Sequence, residues 1–295
     1  MAGTAKTHLA RAAVLAATLI WGTSFVVMKN TLDGVPPFFL LAFRFLVAGS
    51  LLGLLFVRRM LRASKGDVMR GALTGLFLFA AYAFQTVGLQ HTTPGKNAFL
   101  TSIYCILVPF LAWAVHRLRP DRYNLTAAFL CMIGVGLVSL DGSFSMGIGD
   151  ILTLICGFFF SVHLLAVSSF SHKTDVFVLT TMQFVTSGVC SLLFALLTNE
   201  VLVMPRAEDW FGLIYLALFA TTAALLLQNI GQKDLSASGV AILLSLESVF
   251  GVLCSVIVYG ERPTLRMYLG FAGIFMAVIL SETKLSFIKR DKKQP

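Results

Sequence analysis

The feature that most constrains this chain is a series of apolar runs, each near twenty residues long, that recurs from one end to the other. A run of that length spans a hydrocarbon layer about 30 Å thick at about 1.5 Å per residue. A soluble core has no use for so many. With 13% charged residues in 295, against about 25% in soluble domains, the chain reads as an all-α integral membrane protein. Charge clusters, Pro/Gly turns and polar stretches divide it into ten segments, at 12–29, 37–57, 71–91, 95–115, 123–141, 150–170, 177–197, 210–230, 237–258 and 265–283. The first, Ala12 to Met28, is too long for a signal-peptide core and lacks an A-x-A site, so it reads as a span. The connections are too short for a soluble domain.

The net charge of +9 would suggest nucleic acid in a soluble protein. Here the positive residues gather at segment ends, as expected where Lys and Arg resist translocation. With the N-terminus inside, seventeen Lys and Arg fall on the cytoplasmic side, five on the other, and Arg44 inside a span. Both termini are therefore expected on the cytoplasmic side of the cytoplasmic membrane, and no nucleic-acid partner is expected. The cysteines (105, 131, 156, 190 and 254) lie in apolar segments without CxxC spacing. Neither a disulfide framework nor a metal site is indicated, and no cofactor is expected.

The chain also repeats itself. "AFQTVGLQ…AFLTS…RLRP" (Ala83 to Pro120) returns 143 residues later as "LLQNIGQK…AILLS…GERP" (Leu226 to Pro263). Gln85 matches Gln228, Gly88 matches Gly231, Ser102 matches Ser245, and Arg119-Pro120 matches Arg262-Pro263. "FFLLAFRFLVAG" matches "FVLTTMQFVTSG" at an offset of 139, pairing Phe45 with Phe184, Gly49 with Gly188 and Arg44 with Gln183. Two copies of five spans each, 1–144 and 145–295, must enter the membrane from opposite sides. The expectation is ten transmembrane helices as two inverted five-helix repeats, the usual architecture of secondary transporters.

"LIWGTSFVVMK" (Leu19 to Lys29), "LLAFRFLVAG" (Leu40 to Gly49), "GLQHTTPGKNAFLTSIYCILVPFLAW" (Gly88 to Trp113) and "SLESVFGVLCSVIVYGERPT" (Ser245 to Thr264) resemble the EamA family of the drug/metabolite transporter superfamily. The resemblance covers nearly the whole chain. It implies ten helices in two inverted repeats around a central cavity, moving small metabolites such as amino acids, often outward. Where the family often has a proline after the glutamate, this chain has Ser248, which implies a straighter ninth span.

Charges at mid-bilayer cost about 2.5–3.5 kcal/mol on insertion scales and so usually face a cavity or a partner. Glu247 fits a carboxylate that binds a substrate amino group or takes up a proton. It equally fits a buried group bonded to neighbouring helices or paired with Arg44. Arg44 reads as a gating or packing residue, and His163 as either a proton relay or a fixed hydrogen-bonding group. Polar residues at helical spacing complete the candidates: Asn97, Thr101 and Tyr104 on one face, Tyr82 with Gln85, Gln183 with Thr180 and Ser187, and Trp21 with Ser24. Small polar residues also serve as glue between membrane helices. Gln85 and Gln228 are placed near opposite mouths, as paired gates.

"MGIGDIL" contains the GxGD of intramembrane aspartyl proteases at Gly147 to Asp150. That chemistry needs two carboxylates within reach, and no second Asp falls in a span, so no enzyme activity is expected. "NLT" at Asn124 is a glycosylation sequon on the expected cytoplasmic side. The expected function is secondary transport of a small-molecule substrate, with amino-acid export first, and uptake or efflux of a cationic compound as alternatives. A channel or a membrane receptor stays open from other classes. The lipid bilayer is the expected environment, and homodimerisation is left open.

Overall fold

The computed structural model describes residues 2–117, 122–139, 146–200, 205–235, 237–260 and 262–283. Arg119, Pro120 and the five basic residues after Ser281 lie outside them, as do the side chains of Asn124 and Cys131. Among the described residues the chain is helical throughout, without strands.

Each apolar segment is helical, and the segment 95–115 divides into two helices. The helices are α1 (Ala2–Leu32), α2 (Pro37–Leu55), α3 (Lys65–Gln90), α4 (Pro94–Thr101), α5 (Tyr104–His116), α6 (Arg122–Ser139), α7 (Ile148–Phe170), α8 (Val176–Leu197), α9 (Asp209–Lys233), α10 (Ala237–Tyr259) and α11 (Leu265–Thr283). Among the described residues, eight segments are long and apolar enough to cross a bilayer, with α4 and α5 counted as one span over Pro94–Val115. The other two contain shorter apolar stretches, Leu125–Gly134 in α6 and Leu265–Ala277 in α11.

Local chemistry sets the helix ends. Pro37 opens α2, where its missing N–H costs nothing, and Glu200 Oε2 accepts from the next two amides, Phe38 (2.8 Å) and Phe39 (3.2 Å). Ser64 and Asp67 form a reciprocal capping box on α3, and Asp175 Oδ1 accepts from Phe177 and Val178 at the start of α8. Such caps satisfy N–H groups that the helix leaves without intrahelical acceptors.

The helices pack as a bundle in which α2 lies on α8, α3 on both α7 and α8, α1 on α9 and α10, and α4 on α10 and α7. The α2–α8 crossing is close because a glycine stands on each side. A Cβ on Gly188 would lie 2.8 Å from the Leu46 side chain, and one on Gly49 would lie 3.1 Å from Val185 Cγ2. The matched phenylalanines Phe45 and Phe184 are both fully buried beside them, with ring centroids 6.1 Å apart. Helices α6 and α11 pair with each other at the edge of the bundle. Their outer faces expose Phe129, Met132, Leu269 and Met276. In water such surfaces would promote association; in a bilayer they face the solvent they match.

Two spans depart from regular α geometry. Between α4 and α5, Ser102, Ile103, Cys105 and Ile106 each bond to a carbonyl three residues back, a tightened 3₁₀-like turn of the kind that often marks a hinge or strain. It interrupts the single face expected for Asn97, Thr101 and Tyr104. Within α9, Leu216–Ala223 is π-helical. Helix α10, with Ser248 in place of the family's frequent proline, runs unbroken from Ala237 to Tyr259.

Candidate functional site

A cavity of about 30 Å³ lies among α1, α2, α3, α5, α7, α9 and α10, room for about one or two waters. Of the fourteen residues singled out from the sequence, nine line it: Trp21, Ser24, Arg44, Tyr82, Gln85, Tyr104, His163, Gln228 and Glu247. Phe25, Met28, Phe160 and Leu244 supply much of its apolar wall.

Glu247 is 5% exposed. Its Oε1 accepts from Tyr104 Oη at 2.9 Å, between residues separated by 143 positions. That separation equals the offset of the sequence repeat, so Tyr104 and Glu247 occupy matched positions and meet each other. The 3₁₀-like turn at Ser102–Ile103 immediately precedes Tyr104, where α5 begins and crosses α10.

Arg44 is 1% exposed and forms no ion pair with Glu247; among the described residues no carboxylate oxygen lies within 4.0 Å of its nitrogens. Its Nε donates to Thr221 Oγ1 at 2.6 Å, and its Nη1 lies 3.8 Å from Met28 Sδ. The guanidinium carbon sits 4.7 Å from the Tyr82 ring centroid and 5.6 Å from that of Phe45. This cation–π contact helps hold a charge that burial disfavours.

The other five, Asn97, Thr101, Thr180, Gln183 and Ser187, are buried but do not line it. Asn97 Nδ2 donates to Thr153 Oγ1 (2.8 Å), tying α4 to α7. Thr101 accepts from Gln85 Nε2 at 3.3 Å. Gln183 Oε1 lies 3.0 Å from His163 Nε2, so it braces the histidine. Gln85 and Gln228, expected near opposite mouths, both line this one cavity; Gln228 donates to Gln232 Oε1 at 3.2 Å. The helical crossings bring together residues that linear placement along the spans sets apart.

Sequence reasoning missed Phe160, Met28 and Thr221. Phe160 and Met28 look like ordinary apolar wall, and only packing reveals where they face. Thr221 carried a signal, the Thr221-Thr222 pair inside an apolar span, of the same kind that marked the other small polar residues.

Asp150 of the GxGD stretch is bound to Lys96 Nζ (2.7 Å) and Thr92 Oγ1 (2.8 Å), joining the start of α7 to α4 and to the α3–α4 connection. Among the described residues no cluster of three His, Cys, Asp or Glu could hold a metal ion.

Membrane-length apolar helices enclosing a small cavity with a few ionisable groups in a largely apolar wall define a multi-pass membrane protein. Residues 9–140 and 147–283 match the model of the EamA-like transporter family, and the chain belongs to that family. It is 35% identical over 262 residues to an uncharacterised transporter of Archaeoglobus fulgidus, covering 89% of this chain and 82% of that one. It is 27% identical to the uncharacterised transporter YetK of Bacillus subtilis (94% and 89% covered). To the chloroplastic WAT1-related protein At3g02690 of Arabidopsis thaliana it is 24% identical, with 76% and 57% covered. A crystal structure at TM-score 0.72 and 19% identity covers 97% of this chain and 99% of its own, which shows a shared fold.

Proposed function

We propose that this protein is a secondary transporter of a small zwitterionic metabolite of the amino-acid type. It works by alternating access, on ten transmembrane helices arranged as two inverted repeats (1–144 and 145–295). The direction is outward across the cytoplasmic membrane, with both termini on the cytoplasmic side, as the Lys and Arg bias favours. The observation that carries the reading is a buried carboxylate, Glu247, and a buried guanidinium, Arg44, that line one cavity without pairing. Buried charges ordinarily pair or coordinate something. A substrate bearing both an ammonium and a carboxylate would answer both.

The inverted-repeat architecture draws support from the meeting of Tyr104 with its matched residue Glu247. Residues at equivalent positions of two repeats approach each other only near the axis that relates them. A cavity of about 30 Å³ does not admit an amino acid, so the substrate enters and leaves when the two halves separate on one side or the other.

The aromatic lining of Trp21, Phe25, Tyr82, Tyr104 and Phe160 favours a second reading, export of an organic cation with Glu247 as its counter-charge. One experiment separates the two. The purified protein and Glu247→Gln are melted against amino acids, polyamines, choline-like cations and common drugs, since a ligand at a hundredfold excess over its Kd stabilises by about 2.7 kcal/mol. The ligands that shift wild type are then tested for saturable counterflow in proteoliposomes. A shift with amino acids that is lost in Glu247→Gln supports the first reading, and one confined to cations supports the second. Currents that ignore a trans gradient of the ligand would point to a channel and sink both.

A further inference from the structure

A π-helical turn in α9, Leu216–Ala223, is where two cavity side chains end. Such turns space their bonds five residues apart and often occur at functional sites. Here Thr221 Oγ1 donates to Leu216 O (2.7 Å) and Thr222 Oγ1 to Ala217 O (2.8 Å), each five residues back. The Thr221 hydroxyl proton is thus committed, and its lone pairs point outward to accept from Arg44 Nε at 2.6 Å. One position earlier, Ala220 O accepts the indole N–H of Trp21 at 2.8 Å. The position in α3 that matches Thr221 at the repeat offset is Leu78, fully buried in regular α-helix. The hydroxyl and the π turn therefore occur together, in the one half of the molecule whose α9 faces Arg44.

An arginine offers five N–H donors in a fixed fork, and its terminal nitrogens suit a carboxylate. With Nε held by Thr221 and the guanidinium face held over Tyr82, the rotation of the fork is set. Beyond the Tyr82 side chain, which also bonds to the guanidinium, the terminal nitrogens meet the soft Met28 sulfur, 3.8 Å from Nη1, which a carboxylate would displace at small cost.

We propose that Thr221, presented by the π turn of α9, is a positioning residue for substrate recognition: it fixes the Arg44 fork so that its terminal nitrogens receive the anionic group of the substrate. Thr221 thereby sets the preference for carboxylate-bearing ligands over their neutral counterparts. This rests on the zwitterionic reading of the cavity. It adds a specificity determinant that makes no contact with the substrate itself.

The test measures binding of L-phenylalanine and L-phenylalaninamide to the full chain in detergent. The probes share ring and ammonium and differ in the carboxylate charge. Wild type is expected to prefer the acid by about tenfold or more, the usual scale for a hydrogen-bonded charged group. Thr221→Val keeps the side-chain shape and removes the acceptor; it is expected to bring the two affinities within about twofold of each other by weakening the acid alone. Thr221→Ser is expected to restore the preference, which a purely structural role would not predict. Thr221→Ala serves in place of the valine variant if that one does not fold.

A variant without the hydroxyl that keeps the wild-type ratio, or weakens both probes equally, overturns the role of Thr221 and leaves the zwitterionic reading standing. Failure of that reading looks different. Wild type itself then binds neither probe or fails to prefer the acid, and both proposals fall.

Discussion

Where the two halves meet, a tyrosine from one hydrogen-bonds to a glutamate from the other, at positions the sequence repeat aligns. The surrounding pairs differ in a consistent way. Arg44 in the first half reaches Met28 and Thr221, whereas among the described residues the side chain of its match Gln183 bonds only to His163. Helix α9 carries a π turn where α3 is regular, and the α4–α5 span tightens at Ser102 where α10 runs straight past Ser245. Backbone positions have been kept while chemistry has diverged. The charged groups of the cavity are thereby divided, the cation on the first half and the carboxylate on the second. In the proposed carrier, identical halves would offer the ligand two identical ends; halves divided in this way would offer two different ones.

The largest effect comes from breaking that division at the crossing. Tyr104→Glu places a second carboxylate against Glu247, and an uncompensated buried charge costs about 3–5 kcal/mol. The variant should lose most of its folded yield. Exchanging the pair, with Tyr104→Glu and Glu247→Tyr together, recreates the hydrogen bond and should recover much of that loss in melting temperature. An exchange as damaged as the single variant would show that the two positions are not equivalent.

Next in size is Glu247→Gln, which keeps an acceptor for Tyr104 and removes the charge. Transport of the ligand identified by melting should fall at least about tenfold, as for loss of a charged hydrogen-bond partner, with a melting temperature close to wild type. Unaltered, pH-dependent flux would remove Glu247 from the mechanism.

The α2–α8 crossing tests the comparison through packing alone. Gly188→Ala drives a Cβ to within 2.8 Å of the Leu46 side chain and 3.0 Å of its backbone nitrogen, so overpacking should cost about 1–3 kcal/mol. Gly49→Ala meets Val185 Cγ2 at 3.1 Å and the Val185 backbone nitrogen at 3.2 Å, each looser than the Gly188 contacts, and should cost less. Equal losses in melting temperature would deny the asymmetry.

The smallest effect lies outside the spans. Burial pushes the Glu200 carboxyl above its usual range, against the pull of the Phe38 and Phe39 amides. A raised folded-state value means that its contribution to stability is full below the ordinary carboxylate range and is lost as pH rises through the raised value. Glu200→Gln should flatten that dependence by less than about 1 kcal/mol, the scale of a partly exposed charge at a helix N-terminus. A melting profile against pH checks it; an unchanged slope would assign the dependence elsewhere.

Much of this was open to reading from the residues. Membrane-length apolar runs dictate helices, since a backbone in lipid must satisfy its own hydrogen bonds, and nine of the ten segments each coincide with one, the segment 95–115 dividing into two. Isolated polar residues in those runs pointed to the cavity because burying them without purpose is costly. Glu247, Arg44, His163, Tyr82 and Trp21 all reached its wall by that reasoning. Asn97, Thr101 and Gln183 did not, because the same polarity serves to tie helices together, and a side chain's one-dimensional address does not say which of its neighbours it meets.

The residue sequence by itself determined that this is a helical membrane protein with ionisable groups inside its apolar runs, because length, hydropathy and spacing are properties of single helices. Only the tertiary structure decided that Tyr104 holds Glu247, that Arg44 rests on Thr221 and not on the glutamate, and that a turn of α9 is π-helical. Those depend on how helices cross, and crossing is settled by the fit of whole surfaces, to which each residue contributes only a part.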